Sequence, residues 1–521
     1  MPKVPSADTA SGGRRGGGRL SGEDTRIPSI FASSRHLSAA AERQRRPAGR
    51  PLAARFAVRW LLAGVACAAI VGAAAAFDPV IAAALVVAAV VGVALAFRPA
   101  LVLPALVVSV YVEILNVKGV TISRLVAPVA LLAVLAAASR TRLALQVGPP
   151  LAWVGAYVAW ALASGLWTTD PGETVYALGS LAIALVYMLV FAALLRSERD
   201  LERVALAFAF AALGMGAFAI VAFFLDISWT LESGRAGGGA GDPNFFAAYQ
   251  VVALPIALAL IGFARRPALR LALYAAAVVI VISIFTSVSR GGLVALAAVT
   301  LLTFALPART VFRSGLQKAA LVVVVAVGAA LAYQAAATEL APRLEALLGG
   351  DTTGSGRTAI WMAARTSIEE RPVLGLGYGA FPHALNDLIL RTPGVDLRHY
   401  ELRPDGQEAH NVFISTTADL GLPGLVILVG LLVSTGRTLR RTARDAAAAG
   451  RTFLARIANA LVLSLVGFTV ASLFLSTETS RALWILVGLA VALPRLVAEP
   501  APEARLLETG PSVLAPAPEP A

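Results

Sequence analysis

The sequence predicts an all-α polytopic integral membrane protein, with about 14 (12–14) transmembrane helices and one large extracytoplasmic loop carrying short helices of its own. Three observations predict it. The chain is 58% hydrophobic and 14% charged, with a mean hydropathy of +0.76, which no globular surface on 521 residues could carry. Its apolar residues fall into runs close to the roughly 17–25 residues that cross a bilayer as a helix. Its arginines collect in alternate connections between those runs, as the positive-inside bias requires of a chain threaded back and forth.

The runs lie near 57–77, 79–97, 99–117, 123–139, 150–167, 173–195, 203–225, 244–264, 268–287, 290–306, 318–335, 411–434, 453–475 and 480–498. With residues 1–56 placed in the cytoplasm, the inward connections hold seventeen Arg or Lys residues and the short outward ones five. That asymmetry puts both termini inside. The formal charge of +13 is then mostly an orientation device and an attraction to anionic membrane lipids. Spread along one membrane face, it argues for no nucleic-acid partner.

Residues 1–55 are rich in Gly, Ser, Arg and Ala without apolar periodicity, and are expected to form a disordered basic cytoplasmic tail. Residues 499–521, rich in Pro and Ala, are expected to form a second such tail. Between them, 56–498 make one transmembrane domain. The single cysteine, Cys67, rules out an internal disulfide or a thiolate metal cluster and reads as a small apolar filler.

One connection is not short. Residues 336–410 form an outward loop that holds His383, His399 and His410, three of the four histidines. A loop of that length in a compact protein is usually functional. In "GDTTGSGRTAIWMAARTSIEERP", Ser355 reads as an N-cap, Arg357 falls in the first helical turn, Trp361 shares its face four residues on, and Pro372 closes the segment. "LGLGYGAFPHALNDLILR" then gives a glycine-rich turn and a second short amphipathic helix. The loop ends in Glu408, Ala409, His410 and Asn411, where the twelfth run begins.

Arginines also stand on the outward side against the charge bias. Arg235 lies in the glycine-rich "ESGRAGGGAGDPN", and Arg290 opens the tenth run in "SRGG". Such a residue can simply snorkel from a helix end to the headgroups. The alternative is chemical. A guanidinium grips phosphate oxygens with a planar fork, and Arg357 at a helix start would add backbone N–H groups and the helix dipole. A histidine takes a proton near neutrality. Two arginines and a histidine suit a reaction with a phosphate leaving group and a hydroxyl nucleophile. Outside the membrane there is no nucleotide-sugar pool, so an activated donor there must arrive on a lipid.

The motifs "SRGG" at 289–292, "GRTAIW" at 356–361, "RPVLGLGYGAF" at 371–381 and "AHNVFISTTADLGLPG" at 409–424 resemble, in their order and spacing, the O-antigen ligase and polymerase family. They span the motif region 290–424, and the run count and topology extend the likeness over about 55–498. The resemblance implies metal-independent, inverting transfer of a glycan from undecaprenyl pyrophosphate to an acceptor hydroxyl, on a glycan, lipid or protein, at the outer face of the bacterial inner membrane. It implies His410 as general base and Arg290 and Arg357 as holders of the pyrophosphate. Arg235, Arg371 and Asn411 follow as further substrate contacts. No cofactor is implied. Two departures stand out: the basic N-terminal tail is extra, and fourteen spans exceed the twelve expected of the ligases, which leaves ligase against polymerase open.

Other readings of the same residues remain. His410 also suits an interfacial cap of the twelfth run, and Asn411 an ordinary helix start. His383 and His399, 27 and 11 residues before His410, match no common zinc spacing. The "GLGYG" turn follows no strand, so it is no dinucleotide fingerprint. Asp419, about 13 Å into the twelfth run, is either a functional carboxylate or the partner of an arginine. The rival function is a transporter or flippase of lipid-linked glycans or polar solutes. It predicts ionisable residues mid-membrane and paired broken helices, whereas here the polar residues concentrate outside.

Overall fold

The computed structural model describes residues 101–113, 116–117, 120–140, 148–227, 231–232, 235–307, 310, 315–335, 357–395 and 406–498. The runs expected near 57–77 and 79–97, Cys67, Ser355, His399 and both tails lie outside these residues. The described chain is helical: α1 Val102–Tyr111, α2 Ile122–Arg140, α3 Pro149–Ala163, α4 Pro171–Leu194, α5 Glu198–Phe224, α6 Pro243–Ile261, α7 Pro267–Thr286, α8 Arg290–Ala305, α9 Gly315–Ala335, α10 Arg357–Glu370, α11 Phe381–Arg391, α12 Val412–Ala448, α13 Thr452–Ala471 and α14 Arg481–Ala498. Seven of them, α4 to α7 and α12 to α14, are long and apolar enough to cross a membrane, the last turn of the α13 span being 3-10. This is a helical membrane protein.

The helices start where the sequence supplies caps. Asp170, Ser197, Asp242, Ser289 and Asn411 each occupy an N-cap, and each accepts a hydrogen bond from an orphan backbone N–H of the following turn. Pro171, Pro243 and Pro267 follow within the first turn, where a missing N–H is no loss. The run expected at 99–117 departs from this pattern. Its helix stops at Tyr111, and Asn116–Val117 pairs antiparallel with Val120–Thr121. The sequence Asn-Val-Lys-Gly-Val-Thr explains it, with β-branched residues flanking a glycine turn. A second short ribbon pairs Leu231–Glu232 with Arg235–Ala236.

Helix α6 is the hub. From Phe246 to Ile261 every residue is buried, and α6 packs against α5, α7, α8 and α13. Helix α12 lies against α3, α13 and α14, and α14 against α4. Contacts among the described connections mark two ends of the helix set. At one end Arg451, between α12 and α13, bonds Glu198 at the start of α5 at 2.8 Å. At the other, Arg235 reaches the Ser287 carbonyl at 3.2 Å, and Ser415 bonds Glu478, between α13 and α14, at 2.7 Å. The latter end carries α10 and α11.

Helix α12 is two helices. Gly421, with φ +68° and ψ −175°, breaks it, and Pro423 removes the N–H that would have answered Asp419. A Cβ on Gly421 would stand 2.1 Å from the Val373 carbonyl oxygen, so only glycine fits the close approach. The carbonyls released by the break are taken up elsewhere. Leu376 N–H bonds Ala418 at 2.9 Å, Gly377 N–H bonds Asp419 at 2.9 Å, and the Trp160 indole bonds Leu420 at 2.9 Å. In return Leu422 N–H bonds the Pro372 carbonyl at 2.8 Å. The segment 372–377 is thereby strapped to the break. A small second core joins α10, α11 and the start of α12 through Ile360, Ala364, Phe381, Leu385 and Ala409.

Candidate functional site

The face bearing α10 and α11 gathers the arginines singled out above. The Leu231–Ala236 ribbon delivers Arg235, whose Nη2 donates to Asn244 Oδ1 at 2.7 Å. The same oxygen accepts from Ser289 Oγ at 2.9 Å, and Ser289 caps α8. Arg235 is so tied to the turn from which Arg290 projects. The two glycines of "SRGG" let that turn sink in: a Cβ on Gly292 would stand 2.4 Å from Ala247 Cβ of α6, and one on Gly291 2.7 Å from Phe474 Cβ.

Arg357 opens α10, as expected, and joins them. Burial lowers its pKa first, and the positive charges of Arg290 and Arg235 lower it further, with Asp242 acting the other way. Arg357 is therefore half enclosed within reach of two other guanidiniums, and each of them raises the cost of charging it. Asp242 supplies a nearby negative charge, and its Oδ1 also caps α6, accepting from Asn244 and Phe245 N–H at 2.6 and 2.9 Å. A cluster of this kind is stabilised by a multiply charged anion.

His410 enters from α12. It has φ +48°, one of three non-glycine residues with positive φ among the described residues, a conformation that marks strain held by its surroundings. The carbonyl of Ala409 just before it accepts from Trp361 Nε1 at 2.9 Å, and Trp361 stands one turn after Arg357 on α10. Asn411, just after, accepts from Phe413 and Ile414 N–H at 3.0 and 3.1 Å. Its side-chain oxygen serves that cap, as the helix-start reading expects. Arg371 sits apart: it follows the last turn of α10 and is exposed, roughly 20 Å along the helix axis from Arg357. His383 lies 3.5 Å from Glu173 at the start of α4.

Asp419 binds backbone rather than an arginine among the described residues. Its two carboxylate oxygens accept from Gly379 N–H at 3.0 Å and Phe381 N–H at 2.8 Å, at the glycine-rich turn that leads into α11.

Two carboxylates were not anticipated. Glu478 Oε1 accepts from Ser415, one turn into α12, while its Oε2 is buried without a hydrogen-bond partner, and burial raises its pKa. Glu408 stands exposed at the rim, with neighbouring protein displacing part of the water around it. That loss of bulk water, with the nearby Glu478 and Asp242 charges, pushes its pKa up to about 7. The signal for Glu478 was an acid in the four-residue connection "STET" between the last two runs. Behind it, Arg481 pairs with Glu113 at 3.2 Å, both largely buried.

Residues 275–429 match the family described as O-Antigen ligase. This segment is an O-antigen ligase domain. No curated protein matches the chain. The ligase domain contains Arg290, Arg357, Trp361, His410 and the strapped break of α12, while Arg235 and Glu478 reach it from outside the matched segment.

Proposed function

We propose that the protein is a glycosyltransferase that moves a glycan from an undecaprenyl-pyrophosphate carrier to an acceptor hydroxyl at the outer face of the bacterial cytoplasmic membrane, as an O-antigen ligase or polymerase does in surface polysaccharide assembly. The ligase domain within a set of membrane helices supports this class. What supports the mechanism is that Arg357 feels the charges of both Arg290 and Arg235, while Trp361, one turn further along its helix, bonds the peptide that precedes the strained His410.

In this reading the arginines hold the donor pyrophosphate and take up the charge that grows on it as the anomeric C–O bond breaks. His410 accepts the proton of the acceptor hydroxyl as its oxygen attacks the anomeric carbon. Attack opposite the leaving group inverts that carbon, and the pyrophosphate departs on its lipid. The arginine forks do the work of charge stabilisation, so the reaction is metal-independent. The Arg and Lys distribution supports both termini in the cytoplasm and the site outside.

The test is His410→Ala in the purified protein. General-base assistance is worth about 10²–10⁴ in rate, so transfer should fall by that factor, with donor binding, expression and membrane insertion close to normal. Most of the activity surviving, or donor binding lost along with it, would reject the base assignment.

A further inference from the structure

The conformation of His410 is set from another helix. The angle φ of residue 410 turns the peptide plane that joins Ala409 to His410, and the Ala409 carbonyl belongs to that plane. Whatever holds the carbonyl holds φ. That φ is +48°, in the region where an L side chain is disfavoured and persists only under constraint. Ala409 is fully buried in the second core, so a peptide flip would leave its carbonyl without a partner. In the observed orientation the carbonyl receives the Trp361 indole N–H at 2.9 Å. The following peptides are fixed independently by the Asn411 cap.

We infer that Trp361 is a positioning residue: its N–H locks the Ala409–His410 peptide in the left-handed form and so aims the imidazole at the space that Arg357, Arg290 and Arg235 enclose. The helical turn that starts with Arg357 ends with Trp361. One rigid turn then sets both the anion clamp and the base, and fixes their separation. The inference rests on the reading of His410 as base and extends it to the residue that orients it. Packing alone would also place an aromatic ring here, but the ring would need no N–H.

The experiment uses the full chain in lipid nanodiscs. The donor is the undecaprenyl-pyrophosphate-linked glycan pool extracted from producing cells, and the acceptor is envelope material from the same cells. Trp361→Phe keeps an aromatic ring and removes the donor; replacement by 3-benzothienylalanine keeps the bicyclic shape as well, and a thermal melt checks that both fold. Loss of one such hydrogen bond should lower kcat about tenfold while leaving KM for the donor unchanged. In a His410→Ala background the same replacement should cost nothing further, because the group it orients is gone. An unchanged kcat, an equal loss in both backgrounds, or a raised KM for the donor overturns the inference. If His410→Ala remains active, the base reading falls and this inference with it; if His410→Ala is nearly inactive and Trp361→Phe is not, this inference falls alone.

Discussion

Asp419 is the clearest point at which architecture and chemistry make different forecasts. A carboxylate inside a membrane helix is a functional candidate by default. Its geometry says otherwise: both oxygens are occupied by N–H groups of the turn before α11, at 2.8 and 3.0 Å, and Phe381 is fully buried. Asp419→Ala deletes both acceptors at once. Each buried N–H left unpaired costs about 1–3 kcal/mol, so the two together should destabilise the protein by about 2–6 kcal/mol. Relief from burying a polar carboxyl offsets part of this, which favours the lower half of that range. The loss should also be local. Hydrogen exchange should show amides 376–381 losing protection, with α6 and α13 unaffected, and the thermal midpoint should fall. Transfer should drop only as far as the folded fraction drops. A variant that melts like the parent, keeps its protected amides and yet transfers no glycan would refute this account and return Asp419 to the chemistry.

Arg290→Lys and Arg357→Lys should each reduce transfer by about an order of magnitude or more in the folded protein, since a point charge does not replace a bidentate fork; full activity in either would release that arginine from the clamp. Gly292→Val should weaken donor binding, because a Cβ there falls 2.4 Å from Ala247 Cβ and must push Arg290 outward; unaltered binding of undecaprenyl pyrophosphate would show that the α8 turn does not set the clamp. Glu408 titrates at about 7 in the folded protein against 4.5 for the unperturbed group. The folded state therefore binds the extra proton between those values, and stability should decline as pH rises from about 4.5 to 7. Glu408→Gln should flatten that part of the thermal-midpoint profile, and a profile identical to the parent would contradict the shift.

Much of the fold was legible because a bilayer leaves little choice: backbone must be satisfied within each segment, so apolar runs and cap residues locate the helices. The runs expected at 244–264, 268–287 and 290–306 correspond to Pro243–Ile261, Pro267–Thr286 and Arg290–Ala305. Arg290 and Arg357 stood out because they defy the charge bias. What the sequence hid was pairing at long range. Nothing near Asp419 says that its partners are backbone groups some forty positions earlier, and nothing near Ser415 points to Glu478. For Arg371 the sequence supplies the charge but not the distance from Arg357, although Pro372 already marks it as the far end of α10.

The strap at the α12 break has a consequence for how the protein comes into being. Residues 372–377 leave the ribosome before the half-helix whose carbonyls they must meet, and the Asp419 carboxylate that receives Gly379 and Phe381 is later still. The segment carrying Arg357 therefore cannot reach its native form until α12 has been inserted. A reporter fused after residue 406, as in a topology map, or residues 336–410 expressed alone as a soluble fragment, would carry those N–H groups with no acceptors. Studies of acceptor recognition or antibody binding on such a fragment would sample a surface that exists only before biogenesis is complete.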